Sequence, residues 1–247
     1  MLVFEEPIAQ TDAFTATGLP LDTDHFGFSC GRVTLHRKIN ADDLTELLRS
    51  IKGIVFTSVV NSGNDMANNQ LLQSRGGFLL TDTNVQLRAR VSMPAVSDWP
   101  GIRLGNFFTC DDALLRIADS VFVHSRMMND PKMAGARSDS FYRWWLSLSA
   151  DRDDKYLITH GDPEANAFLL FRASGDALVI ELVGVAPGMS GRGIGTAMVA
   201  RLNQYAVESG YSYLQTGTQL ENIAALRFYQ KIGFLVVRSS SIYHYWQ

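Results

Sequence analysis

Residues 182–199 read "LVGVAPGMSGRGIGTAMV", and this stretch restricts the fold of the 247-residue chain more than any other. An apolar, strand-like run leads into four glycines between positions 188 and 195. A helical pattern follows at once, with Ile194, Ala197, Met198, Leu202, Tyr205 and Ala206 on one face. Gly191, Gly193 and Gly195 keep side chains out of the turn, so successive backbone N–H groups can point at an anion. The helix start adds unpaired donors and a partial positive charge, and Arg192 supplies a full charge at the rim. The stretch is no P-loop, because no Gly-Lys-Ser/Thr follows. It also lacks the full Gly-x-Gly-x-x-Gly of a dinucleotide turn. A phosphate-bearing ligand held between a strand end and a helix start is the expectation.

The surrounding pattern is α/β. In the first half a strand over 27–37 precedes an amphipathic helix over 41–53, whose apolar face carries Leu44, Leu47, Leu48 and Ile51. A strand over 54–60, a helix over 64–76 and two strands, 77–81 and 84–91, come next. Residues 92–106 hold two prolines and two glycines without a clear period and read as a linker. Beyond it the sequence predicts a helix over 110–122, a long polar loop over 123–140, an aromatic-rich helix over 141–150, and strands in "KYLITHGD", "NAFLLFRA" and "ALVIELVGVA". The glycine turn and its helix (194–209), a strand over 212–218, one further helix, and the strands "FLVVRS" and "SIYHYW" complete the chain. The expected sheet is mixed and mostly antiparallel, and the chain divides near residue 100 into domains 1–100 and 106–247.

Composition bounds the function class. An apolar share of 46% and a charged share of 19% are ordinary for a globular protein with a full core. A net charge of -3 and a pI near 5.9 give no reason to expect nucleic acid or an anionic membrane as partner. No apolar run approaches the ~18 residues of a membrane helix. The opening "MLVFEEPIAQTDAF" is acidic where a signal peptide is basic, so a cytoplasmic location is the default expectation. Cys30 and Cys110 read as reduced, buried thiols rather than a disulfide or zinc site, and no metal is expected.

Residues 221–234 read "ENIAALRFYQKIGF", a spacing that sets Asn222, Ala225 and Tyr229 on one helix face. Together with the glycine turn, this helix resembles the GNAT (Gcn5-related) N-acetyltransferases. Their acetyl-CoA motif is Arg/Gln-x-x-Gly-x-Gly/Ala after a strand ending in Val-x-Pro. Here stand Val185-Ala186-Pro187 and then Ser190-Gly191-Arg192-Gly193-Ile194-Gly195-Thr196, with Ser190 in place of the first Arg or Gln. The family's later motif, Asn-x-x-Ala-x-x-x-Tyr-x-x-x-Gly-Phe, is filled at every position by Asn222, Ala225, Tyr229, Gly233 and Phe234. The resemblance covers about residues 106–247.

This resemblance implies a GNAT fold and acetyl-CoA as co-substrate. It implies acetyl-CoA contacts from Val183, Val185, residues 190–196, Asn222, Ala225 and Phe228, and direct transfer of acetyl to a primary amine. Tyr229 would protonate the coenzyme A thiolate as it leaves. Glu181 in "VIELVGV" stands where many GNAT members place a catalytic glutamate. For it, a base role and a solvent-facing glutamate both stay open, with His124 and His160 as weaker candidates.

Other segments resemble the TDP-fucosamine (dTDP-4-amino-4,6-dideoxy-D-galactose) N-acetyltransferase group. They are Phe26-Gly27 in an acidic N-terminal segment, Ser125-Arg126 in the long loop, and Phe141-Tyr142-x-x-Trp145 in the aromatic helix. The implied acceptor is a nucleotide-linked amino sugar, with Ser125, Arg126 and Tyr142 at the substrate. Arg126 and Arg137 suit an anionic ligand through charge-assisted bonds. Phe141, Tyr142, Trp144 and Trp145 either stack on a base or sugar or pack the core. Three alternatives stay open: a GNAT enzyme for another small amine or a protein amine, a non-catalytic acetyl-CoA-binding module, and a homodimer through an exposed "SIYHYW" strand.

The chain also echoes itself. At an offset of 156, Gly77-Phe78-Leu79 overlays Gly233-Phe234-Leu235, while Gln73 falls on Tyr229 and Met66 on Asn222. Residues 1–100 are therefore expected to form a smaller, degenerate GNAT-like α/β domain that lacks the glycine turn and shapes the acceptor site.

Overall fold

The computed structural model describes residues 5–92, 99–106, 108–122, 125–133 and 140–247. The first half opens with β1 (Glu6–Gln10), β2 (Phe14–Gly18), the short helix α1 (Pro20–Phe26) and β3 (Cys30–Leu35). Thr11 turns the first hairpin, its Oγ1 accepting from the N–H groups of Ala13 and Phe14 at 3.2 and 3.0 Å. Three of these four elements escape a pattern reading, because strands this short are specified by their turns and partners rather than by alternation. Next come α2 (Ala41–Ser50), β4 (Phe56–Ser62), α3 (Met66–Arg75) and β5 (Phe78–Arg90). Asn40 and Asp43 close the start of α2 with a reciprocal capping box, and Leu44 and Leu47 bury its apolar face.

The second half contains β6 (Ile102–Gly105), α4 (Asp112–Val121), α5 (Phe141–Ala150), β7 (Lys155–His160), β8 (Ala167–Ser174) and β9 (Ala177–Val185). It ends with α6 (Ile194–Glu208), β10 (Tyr213–Gln219), α7 (Ile223–Lys231) and β11 (Leu235–Trp246).

Three expectations change. The presumed linker 92–106 carries a strand, β6, paired with β7 from Ile102↔His160 to Gly105↔Leu157. The two strands expected over 77–91 are one, and so are "FLVVRS" and "SIYHYW". Each long strand runs through its expected break, at 82–83 and at 240, and carries one bulge in their shared ladder, at Thr81 on β5 and at Val237 on β11.

Among the described residues the strands form one sheet in the order β1-β2-β3-β4-β11-β5-β10-β9-β8-β7-β6. Two neighbouring pairs, β3–β4 and β9–β10, are parallel and the others antiparallel. The fold is therefore mixed α/β. Its centre is an exchange: β11 lies between β4 and β5, while β5 lies between β11 and β10. Each half thus sends its last strand into the ladder of the other.

Both cores carry this signature. Val85 and Leu87 of β5 pack with Met198, Leu202, Tyr229 and Phe234, whereas Tyr243 of β11 packs with Val33, Leu44, Leu47 and Leu72. Burying a side chain of that size stabilises by roughly 1.5–3 kcal/mol, so each half is held partly by the other's strand. The expectation of an exposed "SIYHYW" edge is overturned. Ile242, Tyr243 and His244 are buried, because their strand has a partner on both sides.

Candidate active site

The two parallel strands of the second half separate where chemistry needs room. Pairing between β10 and β9 runs from Tyr213↔Ala177 to Thr216↔Ile180 and stops, although the strands continue to Gln219 and Val185. Beyond that rung β9 stays with β8, as far as Val185↔Ala167, while β10 stays with β5. Glu181 is the extra residue at the parting, since Leu170↔Leu182 is followed by Phe171↔Ile180. A bulge bends its strand and re-aims its side chain.

On one side of the parting lies a cleft of about 700 Å3. Val183 and Val185 form its strand wall; Ser190, Gly191, Gly193, Ile194, Gly195 and Thr196 form its turn and helix wall. Ala225, Phe228 and Tyr229 close it from α7. Gly191 and Gly193 have φ of +79° and +80°, in the left-handed region where a side chain is strained. Gly195 allows a close approach: a Cβ there would stand 3.3 Å from the ring of Phe228, which would have to shift slightly.

Gly193 caps α6 with no side-chain hydrogen bond, so the first N–H groups of the helix stay open. The corresponding start of α2 is closed by Asn40, which accepts from the N–H groups of Asp42 and Asp43. Only the second-half helix of this pair therefore offers an anion site. The cleft's size and apolar walls, with open donors at one end, fit a long ligand that carries phosphate. Arg192 is exposed on the turn and does not line the cleft.

A passage of about 130 Å3 leads through the parting. Tyr229 lines both the cleft and the passage. It is 3% exposed, and burial pushes its phenol up to about 12, opposed by the hydroxyl of Thr216. Asn222 lines the passage with Ala225 and Tyr229, from just ahead of the helix rather than within it. It is the N-cap of α7, with Oδ1 accepting from the Ala225 N–H at 3.0 Å, which leaves its amide NH2 free of that bond.

Beyond the passage is a second cavity, of about 400 Å3. Glu181, Leu182, Tyr142 and Gly217 line both spaces. Both Glu181 oxygens receive the ammonium of the buried Lys155, and Arg172 Nε donates to Oε1 at 2.9 Å. Phe141, Tyr142 and Trp145 form aromatic wall, whereas Trp144 turns away to stack on His25 with ring centres 4.4 Å apart.

Arg126 lines the cavity, and its neighbour Ser125 is buried behind it, hydrogen-bonded to Tyr142. Burial and that contact with Ser125 act in opposite directions on the Tyr142 phenol, with burial prevailing and raising it. His160 is instead paired with Asn166 at 2.6 Å and borders none of these spaces. His124 and Arg137 lie outside the described residues.

The first half supplies the remaining wall: Glu5, Leu19, Leu21, Asp22, Arg32 and Gln86. Sequence reasoning missed these six. The one available signal was the "LDTDHFG" segment, read for Phe26-Gly27 rather than for Asp22.

Residues 122–234 match the model of the acetyltransferase (GNAT) family, a span containing the cleft, the parted strands and the Asn222–Tyr229 helix start. That span carries a domain of the acetyltransferase (GNAT) family. A spore coat polysaccharide biosynthesis protein, SpsD, from Bacillus subtilis is 26% identical over 136 residues, 55% of this chain and 47% of that protein. A mycothiol acetyltransferase from Renibacterium salmoninarum is 26% identical over 211 residues, 82% of this chain and 62% of that protein. The chain thus spans about half of one relative and three-fifths of the other. A GCN5-related N-acetyltransferase structure from Sphaerobacter thermophilus matches with a TM-score of 0.66 at 16% identity, covering 94% of this chain and 76% of that one. At that identity the likeness concerns the fold.

Cys30 and Cys110 are free thiols; burial raises both, Cys30 to about 12. Among the described residues no helix is long and apolar enough to cross a membrane.

Proposed function

We propose that the chain transfers an acetyl group from acetyl-CoA to the primary amine of a nucleotide-linked amino sugar. The observation that carries this reading is the continuity of the three spaces through the parted strands. Tyr229 belongs to the first two and Glu181 to the last two. The glycine turn and the start of α6 hold the phosphates; Val183, Val185, Ala225 and Phe228 hold the arm; Asn222 offers its amide NH2 beside the passage. Acetyl-CoA brings the activated acyl group, and the protein's own groups do the rest.

The acceptor enters from the 400 Å3 cavity with its amine directed into the passage. As the new C–N bond forms and the C–S bond breaks, Glu181 accepts the amine proton and Tyr229 donates a hydrogen bond to the departing sulfur. A phenol near 12 is a weaker acid than an ordinary thiol near ~8.5. Its main service is therefore to stabilise the leaving sulfur as a donor, a contribution of about 10²-fold. Positioning amine against thioester supplies more.

The sugar reading is supported by the cavity's aromatic and arginine lining and by the likeness to SpsD. The first half is read as a degenerate copy of the second, supported by the matching order of strand, helix, strand, helix, strand in β3–β5 and β9–β11. Thiol release measured against a panel of nucleotide amino sugars, free amino sugars, amino acids, polyamines and peptide N-termini tests the acceptor. Highest kcat/KM with a nucleotide amino sugar is expected. Acetylation of peptides or polyamines with no turnover of any sugar would sink the sugar reading.

A further inference from the structure

Six charged side chains line the acceptor cavity: Glu5, Asp22 and Glu181, and Arg32, Arg126 and Arg172. Four are matched, because Arg32 pairs with Glu5 at 2.9 Å and Arg172 with Glu181 at 2.9 Å. Among the described residues, Asp22 and Arg126 are in no ion pair. Each lies in the other's electrostatic field without touching it. Arg126 Nε has no contact with solvent and no hydrogen-bond partner. A donor stripped of water and left unbonded is costly unless something completes it.

The backbone around Arg126 is fixed. Met127 within the turn and Met133 after it are buried, and the carbonyl of Ser125 accepts from the N–H groups of Met128 and Asn129 at 3.0 and 3.1 Å. Asp22 comes from the other wall, in the first turn of α1. Glu5, Arg32 and Asp22 all belong to the first half, so that half sets the charge balance of the cavity.

We propose that Arg126 and Asp22 are a split ion pair that the acceptor completes. An anionic group of the acceptor, phosphate or carboxylate, takes the Arg126 guanidinium, and a neighbouring hydroxyl or N–H donor takes the Asp22 carboxylate. This deepens, and rests on, the reading of the cavity as the acceptor site. A neutral amine without such a group leaves Arg126 uncompensated and is a poor acceptor. Asp22 in turn discriminates against a bare anion, which it repels, in favour of an anion with a donor beside it.

The test is calorimetry on the full chain saturated with coenzyme A, so that the start of α6 is filled and captures no probe. Thymidine diphosphate offers an anion with donors, pyrophosphate and malonate an anion alone, and thymidine donors alone. Wild type is expected to bind thymidine diphosphate and not thymidine; pyrophosphate tighter than malonate assigns phosphate, and the reverse assigns carboxylate. Arg126→Met should weaken thymidine diphosphate at least tenfold. Asp22→Asn should weaken thymidine diphosphate but tighten the simple anion, a change of opposite sign that a general loss of structure cannot mimic. Melting temperatures confirm that both variants fold, and Arg126→Lys stands in if Arg126→Met does not.

Wild type that binds neither anion, or Arg126→Met that binds thymidine diphosphate as wild type does, overturns the split pair. If neutral amines are acetylated while no anion binds, the acetyltransferase reading stands and the split pair falls. If anions bind through Arg126 while no amine is acetylated, the split pair stands and the acceptor reading falls.

Discussion

The hydroxyl of Thr216 lies 3.4 Å from the phenol oxygen of Tyr229, and Thr216 is the last residue of β10 to pair with β9. The single Thr216 hydroxyl proton is shared between this phenol oxygen and a second acceptor. The same threonine hydroxyl reaches the carbonyl of Ile180 at 3.4 Å, which ties the phenol to the point where the strands part. Tyr229→Phe is expected to lower kcat at least about tenfold with little change in acetyl-CoA affinity. Steady-state kinetics with calorimetry check this. Unchanged kcat would remove Tyr229 from the reaction.

Gly193 has φ of +80° at the open start of α6. Gly193→Ala should cost about 1–2 kcal/mol in stability and weaken acetyl-CoA binding by about tenfold or more as the turn shifts. Gly175, with φ of +58° in the β8–β9 turn, serves as control. Its alanine variant should show a similar melting loss and unaltered acetyl-CoA affinity.

Asn222 caps the helix that carries Tyr229. Asn222→Ala should cost about 1 kcal/mol in urea unfolding, and Asn222→Asp should restore most of that. Because the aspartate lacks the amide donor, acetyl-CoA affinity should stay reduced in the second variant. Full recovery of affinity would assign Asn222 to capping alone.

Buried His244 has Nδ1 2.7 Å from Asp130 Oδ2, yet desolvation, helped by the charge of Arg126, lowers it to about 4. With the folded value below the ordinary 6.5, the unfolded chain binds the extra proton between those values, so stability falls as pH drops from about 6.5 to 4. The full effect is about 3 kcal/mol. Asp82, raised by burial to about 6, works the other way, because there the folded chain holds the extra proton and stability falls as pH rises from 3.8 to about 6. Asp82→Asn should therefore lose stability more steeply than wild type between pH 6 and 4. Chemical unfolding across that range checks the slopes, and the imidazole resonances of His244 should stay those of the neutral ring down to about pH 5.

The exchanged strands make the halves interdependent. A fragment of residues 99–247 lacks β5, and β10 and β11 lose the partner that joins them. Such edges aggregate. The fragment alone is expected to be insoluble or unfolded, and co-expression with residues 1–92 to recover it. A soluble, cooperatively melting fragment would show that the exchange is dispensable.

What could be read in advance follows from range. The glycine turn, the amphipathic face of α2 and the Asn222–Tyr229 spacing are local, set by backbone conformation and helical period within a few residues, so sequence alone placed them near their observed positions. Asn222 shares the passage with Ala225 and Tyr229 and also caps α7, which starts at Ile223. The breaks expected at 82–83 and 240 are continuous strand, and the bulges at Thr81 and Val237 lie inside the expected strands, since pairing and bulges are visible only against the partner strand.

Sequence by itself determined the strand–turn–helix that can hold an anion, the phenol seven residues after Asn222, and the α/β class. Only the tertiary structure decided that β5 and β11 change places, that β9 and β10 part after Ile180 and Thr216, and that Asp22 and Arg32 face Arg126 across one cavity. The physical reason is that strand pairing joins residues far apart in the chain, and its register depends on which buried faces meet. No local pattern records that Glu181 would find Lys155 and Arg172, or that Asp22 would be left without a partner.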